Sequence, residues 1–386
     1  MRTYEETHPW INFTLNLNNA QFTHWMLLGE AQSKCKHFKG VPLLPGVAKK
    51  FYNIYLAKGV IATTAIEGNT LSEEEVLQHL EGKLELPASK DYLRQEIDNI
   101  IKACNQIGKH VLQAESTDIS VKAIKEYNKL VLTDLPLGED VVPGKIRDHS
   151  VVVGRYRGAP PEDCEYLVSR LCAWINKELE SPPEYQMAFG ILKAILTHLY
   201  LAWIHPFGDG NGRTARLIEF HMLLSVGVPA TAAHLLSNHY NQTRSEYYRQ
   251  LDLTHKADNN VFSFIEYALN GFIDGLKEQI KIIKNQQLRV HWISHVHTVF
   301  QNKNNSTDLR RRRLVIDLSY EREPVPTPKL RHITPRIAEA YAGKTDKTVK
   351  RDINALSELN LVVKTDRGVR VKKEIMLAFL PPVRQE

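Results

Sequence analysis

The chain has 386 residues, 43% of them hydrophobic and 24% charged, which is too long for one small domain and enough to bury cores in two or three. The net charge of +6 is uneven: residues 307–386 carry 18 Lys+Arg against 11 Asp+Glu and the rest 32 against 33, pointing to an anionic partner for the C-terminal end. Cys35, Cys104, Cys164 and Cys172 are far apart with no CxxC pair, which buried reduced thiols explain better than a disulfide framework or a zinc site.

Residues 1–45 read as an irregular lead-in ending in the turn-rich Val41-Pro42-Leu43-Leu44-Pro45-Gly46. Glu5 and Glu6 and the lack of an apolar h-region argue against a secretory signal there, so the expected location is cytoplasmic. Residues 46–116 form a helical region, broken at Gly68-Asn69 and Pro87-Ala88-Ser89; Ser72-Glu73-Glu74-Glu75 is a capping box opening a new helix. A core over 117–275 begins with a helix at 120–130. Ser150-Val151-Val152-Val153 and Tyr156-Arg157, flanked by Gly154 and Gly158, predict a small hairpin. Helices resume at Pro161. Residues 191–204 are the longest apolar stretch, but Lys193 and His198 interrupt it, and 14 residues fall short of the roughly 20 needed to cross a bilayer. A central bundle helix is expected, with no membrane partner. Further helices are predicted over 213–226, 241–253, 261–276 and 276–300, so 276–306 is a connecting helix and a polar linker. Residues 307–386 form a last domain.

The chemistry concentrates in His205-Pro206-Phe207-Gly208-Asp209-Gly210-Asn211-Gly212-Arg213-Thr214-Ala215-Arg216. Alternate glycines let backbone N–H groups turn around an anion, and the following helix N-terminus adds its positive end. Arg213 and Arg216, three apart, share a helix face. A lone Asp209 in an anion site calls for a cation between, and Mg2+ bridging phosphates is the natural choice. His205 titrates near neutrality and suits proton abstraction from a hydroxyl. Base, metal ligand, anion nest and two guanidiniums together describe attack of an alcohol on a phosphoric anhydride. The bland alternative is a core histidine beside a glycine connector. A P-loop is excluded, since GxxxxGK[ST] is absent.

This segment resembles the Fic family signature H-x-F-x-[D/E]-G-N-[G/K]-R-x-x-R at every specified position. The resemblance implies a mainly α fold: a Fic-type helical bundle with a small β-hairpin flap. It also implies transfer of AMP from ATP to Ser, Thr or Tyr hydroxyls of target proteins and of the chain itself. His205 then resembles the general base and Asp209 the Mg2+ ligand. Asn211 with the amides of Gly210 and Gly212 resembles the phosphate nest, Arg213 and Arg216 the phosphate clamps. Relatives with Lys in place of Gly212 phosphorylate instead. Val152, Val153 and Gly154 resemble the flap that pairs with a target strand. Tyr247 is the implied adenine contact, an ordinary core or surface tyrosine being the other reading. Thr63-Thr64-Ala65-Ile66-Glu67-Gly68-Asn69 matches the family's inhibitory pattern [S/T]-x-x-x-E-[G/N], in which Glu67 competes with the γ-phosphate for Arg216 and Thr63 shares its face. Removal of AMP, or transfer of another nucleotide, are rival activities of the same site.

In the tail, Arg310 to Arg313, a Pro-rich segment, helices at 334–341 and 346–360 and two short strands joined through Asp366-Arg367-Gly368 resemble a winged helix-turn-helix. DNA binding through 307–386 and a protein-interaction module both stay open. So does a rival of another class, a DNA-binding regulator whose Fic domain senses nucleotide. The target protein is unknown, and the oligomeric state, a homodimer included, is open.

Overall fold

The computed structural model describes residues 2–113, 118–154, 156–256 and 261–377. Arg155 of the hairpin and residues 378–386 of the expected last domain lie outside the described residues. The chain divides into two compact units, Met1–Gln279 and Ile280–Glu386.

The first 45 residues are not the irregular lead-in expected. They hold a short helix α1 (Thr3–Thr7) and an 18-residue helix α2 (Phe22–Lys39). The buried positions of α2 are His24, Leu28, Ala31 and Cys35, while Phe22 and Met26 face outward. Helical spacing is present, but small and polar residues carry it, so the apolar period is faint. Next come α3 (Pro45–Ala65), α4 (Glu73–Leu80), α5 (Asp91–Gln113) and α6 (Val121–Val131). The capping box forms as read: the Ser72 hydroxyl accepts from Glu75 N–H, and the Glu75 carboxylate accepts from Ser72 N–H.

Strands β1 (Val152–Val153) and β2 (Tyr156–Arg157) make the antiparallel hairpin, Val152 opposite Arg157 and Val153 opposite Tyr156. It is held from the far end of the sequence. His8 Nε2 lies 2.9 Å from the Arg157 carbonyl, and Trp10 packs on Tyr156. After α7 (Pro161–Ala173) comes α8 (Gln186–Ile204). The segment Pro183–Ile204 is long and apolar enough to cross a membrane by length and composition. Its place at the centre of the bundle accounts for that composition, with α9 (Asn211–Ser225), α2 and α7 packed on it.

The helix expected over 241–253 is two, α10 (Leu235–Gln242) and α11 (Arg244–Lys256). Thr243 breaks it, its hydroxyl bonding the His239 carbonyl and the Tyr267 hydroxyl. Conversely, the two helices expected over 261–300 are one, α12 (Val261–Val299). Its early residue Phe264 packs on His198 and Tyr240. Its late residues Trp292 and Val296 belong to the core of the second unit. All four cysteines are free and buried.

That second core also draws on α13 (Ser306–Leu318), α14 (Pro335–Ala340), α15 (Asp346–Glu358) and the hairpin β3 (Val362–Thr365) with β4 (Gly368–Val371). Val325 adds a single rung beside Val369. The arginine run is only partly outward: Arg310 and Arg311 both pair with the buried Asp352 of α15. Lys347, Lys350 and Arg351 of α15 are exposed.

Helix α3 matters most for the site, and a glycine fixes its place. Gly59 lies against α10's leading edge, where a Cβ would come within 2.2 Å of the His234 ring. His234 itself is buried, stacked on Phe220. Gly59→Ala is therefore expected to overpack the crossing and cost about 1–3 kcal/mol. Urea unfolding measures this; an unchanged midpoint would show that the crossing has room.

Candidate active site

The site begins where α8 ends. Proline at 206 cannot continue the helix, and His205 leaves it in the left-handed region with φ +50°. Arg147 fixes the turn. Its Nε donates to the His205 carbonyl at 2.8 Å, Nη1 to the His149 carbonyl at 2.6 Å and Nη2 to the Ala159 carbonyl. A buried guanidinium thus satisfies carbonyls at a helix C-terminus, where positive charge is favoured. Burial and the neighbouring Arg147 charge push the His205 imidazole down to about 4. At neutral pH it is uncharged and able to accept a proton.

The loop after His205 is clamped by its own side chains. Phe207 is buried. Asn211 Oδ1 accepts from Phe207 N–H at 2.9 Å, and Asn211 Nδ2 donates to the Phe207 carbonyl at 2.8 Å. The Asn211 side chain therefore holds the loop on both sides of Phe207. From outside the motif, Asn128 donates to the Asp209 carbonyl and accepts from Gly144 N–H. Gly210, at φ +74°, precedes the first turn of α9.

Both motif arginines are buried and both meet carboxylates. Arg213 Nη1 donates to Glu96 Oε1 at 3.0 Å, and Nη2 lies 3.2 and 3.3 Å from the two Asp209 oxygens. Arg216 Nη2 donates to Glu67 Oε1 at 2.5 Å and to the Thr63 carbonyl at 2.9 Å. Burial alone would raise the Glu67 carboxyl, but the Arg216 guanidinium outweighs it and holds the group below its ordinary value. Glu67 stands in the turn just beyond α3, not on its last helical turn, and Gly68 continues that turn at φ +108°. Thr63 contributes its carbonyl; its hydroxyl bonds back to the Gly59 carbonyl. Gly212 makes the meeting of Glu67 and Arg216 feasible, because a Cβ there would sit 2.2 Å from Glu67 Oε1.

A cavity of about 500 Å³ opens between α3, α8, α9, α11 and the hairpin, within the range of small-molecule sites. Glu67, His205, Gly212 and Arg216 meet on its wall with Val153, Gly154 and Tyr247. Asp209, Gly210, Asn211 and Arg213 stand outside that lining, and Val152 projects from the exposed side of the hairpin. Tyr247 is buried, its hydroxyl 2.9 Å from His198 Nε2 and its ring stacked on Tyr240, so it is a core tyrosine that also faces the cavity.

Several residues of this site carry no signal in the motifs. Glu96, Asn128 and Arg147 act across long sequence separations, on Arg213, the Asp209 carbonyl and the His205 carbonyl. Glu219 and His198 form a second buried layer, 3.7 Å apart. Burial pushes Glu219 up to about 8 and His198 down to about 3. Burial thus favours the neutral form of both, and Glu67 is the carboxylate that bonds Arg216.

Residues 118–223 match the Fic/DOC family model. Protein adenylyltransferase fic-1 of Caenorhabditis elegans is 29% identical over 235 residues, 60% of this chain and 42% of that protein. Protein adenylyltransferase Fic of Drosophila melanogaster is 31% identical over 215 residues, 55% and 39% respectively. The chain thus spans less than half the length of these curated relatives. Among solved structures, a Fic family protein from Desulfovibrio desulfuricans shares the fold with a TM-score of 0.56, covering 92% of this chain and 97% of that one at 17% identity. Fic-1 from C. elegans does so with a TM-score of 0.54, 68% and 73% coverage and 24% identity.

The Gly212 contact yields a specific expectation. Gly212→Ala should push the Glu67 carboxylate off Arg216 and destabilise the chain by about 1–2 kcal/mol, and cost less in a Glu67→Gly background, where the Arg216 guanidinium, 3.1 Å from the added Cβ, is the close neighbour that remains. A double-mutant cycle of unfolding free energies checks this. Additive effects would mean that Glu67 does not depend on the glycine.

Proposed function

We infer that this chain, which carries a Fic domain over residues 118–223, transfers AMP from ATP to hydroxyl groups of proteins. The single observation that carries the reading is one cavity wall holding a neutral histidine, the first turn of a helix and a buried arginine whose present partner is a carboxylate. An incoming hydroxyl oxygen attacks the α-phosphorus while His205 takes its proton. The bond between the α-phosphorus and the bridging oxygen breaks, and pyrophosphate leaves. Arg216 is the clamp for the far phosphates and Arg213 for the nearer ones, both rigid forks suited to phosphate oxygens. The α9 N-terminus, with the Gly210 and Gly212 amides, favours the same anion.

Asp209 is the candidate Mg2+ ligand. Its carboxylate is half exposed and offers hard oxygen atoms beside Arg213, and one carboxylate is what a Mg2+ ion carried mainly by phosphates and water asks of a protein. Among the described residues no cluster of three metal-binding side chains occurs, so the donor set suits an ion that arrives with its nucleotide. Bound Mg2+ would neutralise phosphate charge. The hairpin is the candidate docking strip for a target strand: Val152 and Val153 are exposed, and its edge is free for backbone pairing in the way that strand addition requires.

Glu67 acts as a brake in this reading. It occupies the guanidinium that a γ-phosphate needs, and a buried arginine stripped of its carboxylate gains the most from a replacement anion. Incorporation of labelled AMP tests this. Glu67→Gly is expected to exceed wild type at least tenfold, while Arg216→Ala and the double variant stay low, since clamp and brake anchor vanish together. His205→Ala in the Glu67→Gly background should lose roughly 10²–10⁴-fold. Unchanged activity in Glu67→Gly, or a double variant as active as Glu67→Gly, would refute the competition.

A second reading concerns the last unit. α14, α15 and the β3–β4 hairpin follow in the order of a winged helix-turn-helix, and α15 exposes Lys347, Lys350 and Arg351. These features favour an anionic duplex along α15. Affinity of the full chain for duplex DNA is expected to fall steeply with salt, and alanine at those three positions should weaken it and flatten the slope. No mobility shift at low salt would leave an interaction module as the role of this unit.

A further inference from the structure

Glu96 lies on α5 and belongs to neither motif, yet it joins them. Its Oε1 accepts from Arg213 Nη1 at 3.0 Å, and its Oε2 accepts from Asn69 Nδ2 at 2.8 Å. Asn69 stands two residues beyond the brake glutamate. The same Asn69 amide reaches the Leu93 carbonyl, and its Oδ1 accepts from Leu71 N–H. One buried side chain thus fixes the exit of the braking segment and one oxygen of Glu96 together.

The two carboxylates on Arg213 differ in kind. Asp209 is half exposed, whereas the Glu96 side chain is 17% exposed and pinned by Asn69. Arg213 Nε has no partner among the described residues. An arginine released by both carboxylates would be a buried, uncompensated charge on a long flexible stem. One released by Asp209 alone stays oriented, with a single edge freed.

We propose that Glu96 is the positioning residue of Arg213: it keeps Nη1 in both states, so that Nη2 is the edge that passes from Asp209 to a nucleotide phosphate. This rests on the AMP-transfer reading. A fixed fork spends less rotamer freedom on binding, so Glu96 should act on nucleotide affinity more than on the chemical step. It also ties Arg213 to the segment that carries the brake, which makes Asn69 part of the same support.

The test uses the full chain with Glu67→Gly, where the brake is absent. Adding Glu96→Gln keeps the shape and removes the charge. The Michaelis constant for ATP is expected to rise about tenfold, with kcat changed less than threefold. Asn69→Ala in the same background leaves the Glu96 charge in place but unpins it, and should raise the Michaelis constant in the same direction by a smaller factor. It also serves if the Gln variant fails to fold. An unchanged Michaelis constant, or a loss confined to kcat, overturns the proposal. If the Glu67→Gly chain transfers no AMP, the functional reading fails instead. Calorimetric titration with ATP then decides on Glu96 alone: about tenfold weaker binding with Gln supports it, and equal binding refutes it.

Discussion

The reversal of the chain between α8 and α9 governs the rest of the first unit. A long apolar helix must end at His205, turn through a left-handed residue and start a new helix six residues later. A non-glycine residue in that region costs of order 1–3 kcal/mol, and carbonyls at the end of a buried helix need donors. Arg147 offsets both, since its guanidinium reaches the His205 and Ala159 carbonyls at once. The Asn211 amide closes the loop from within and Asn128 from outside. The result puts an imidazole at the end of one helix beside the N-terminus of the next, and burial, helped by the same Arg147 charge that holds the turn, lowers the imidazole's proton affinity.

The electrostatics of the pocket follow from what is buried and what is left charged. Two guanidiniums enter the bundle on α9, and each meets carboxylates. Behind Arg216, Glu219 accepts from the Tyr240 hydroxyl and His198 pairs with Tyr247, and burial favours the neutral form of both. Glu67, the carboxylate that accepts from Arg216, stands on a turn just beyond α3.

Much of this was legible in the sequence where function is written locally. The twelve-residue motif, the capping box at Ser72 and the hairpin rest on short-range spacing, whereas the meeting of Glu67 with Arg216, 149 residues apart, was expected from the resemblance of two separate segments to a family pattern. Three features were not legible for physical reasons. The helix over Phe22–Lys39 buries small and polar residues and so shows little apolar period. The break at Thr243 depends on a hydroxyl finding Tyr267, 24 residues on. The Asn211 side chain, read for the phosphate nest, also holds its own loop, a use that an amide does not announce in one dimension. Glu96 and Arg147 were invisible as partners, since their bonds span 117 and 58 residues.

The pinning of α3 bears on time. Its backbone sits against α10 with no room for a methyl group at Gly59, and the Thr63 hydroxyl bonds into the preceding turn. Sliding or tilting such a helix is a microsecond-to-millisecond event. Glu67, however, stands past the helix end in a turn continued by Gly68, and a partly exposed side chain changes rotamer in picoseconds to nanoseconds. The contact between Glu67 and Arg216 therefore hangs on a side chain beyond the helix end, and breaking it asks for no movement of the scaffold that carries it.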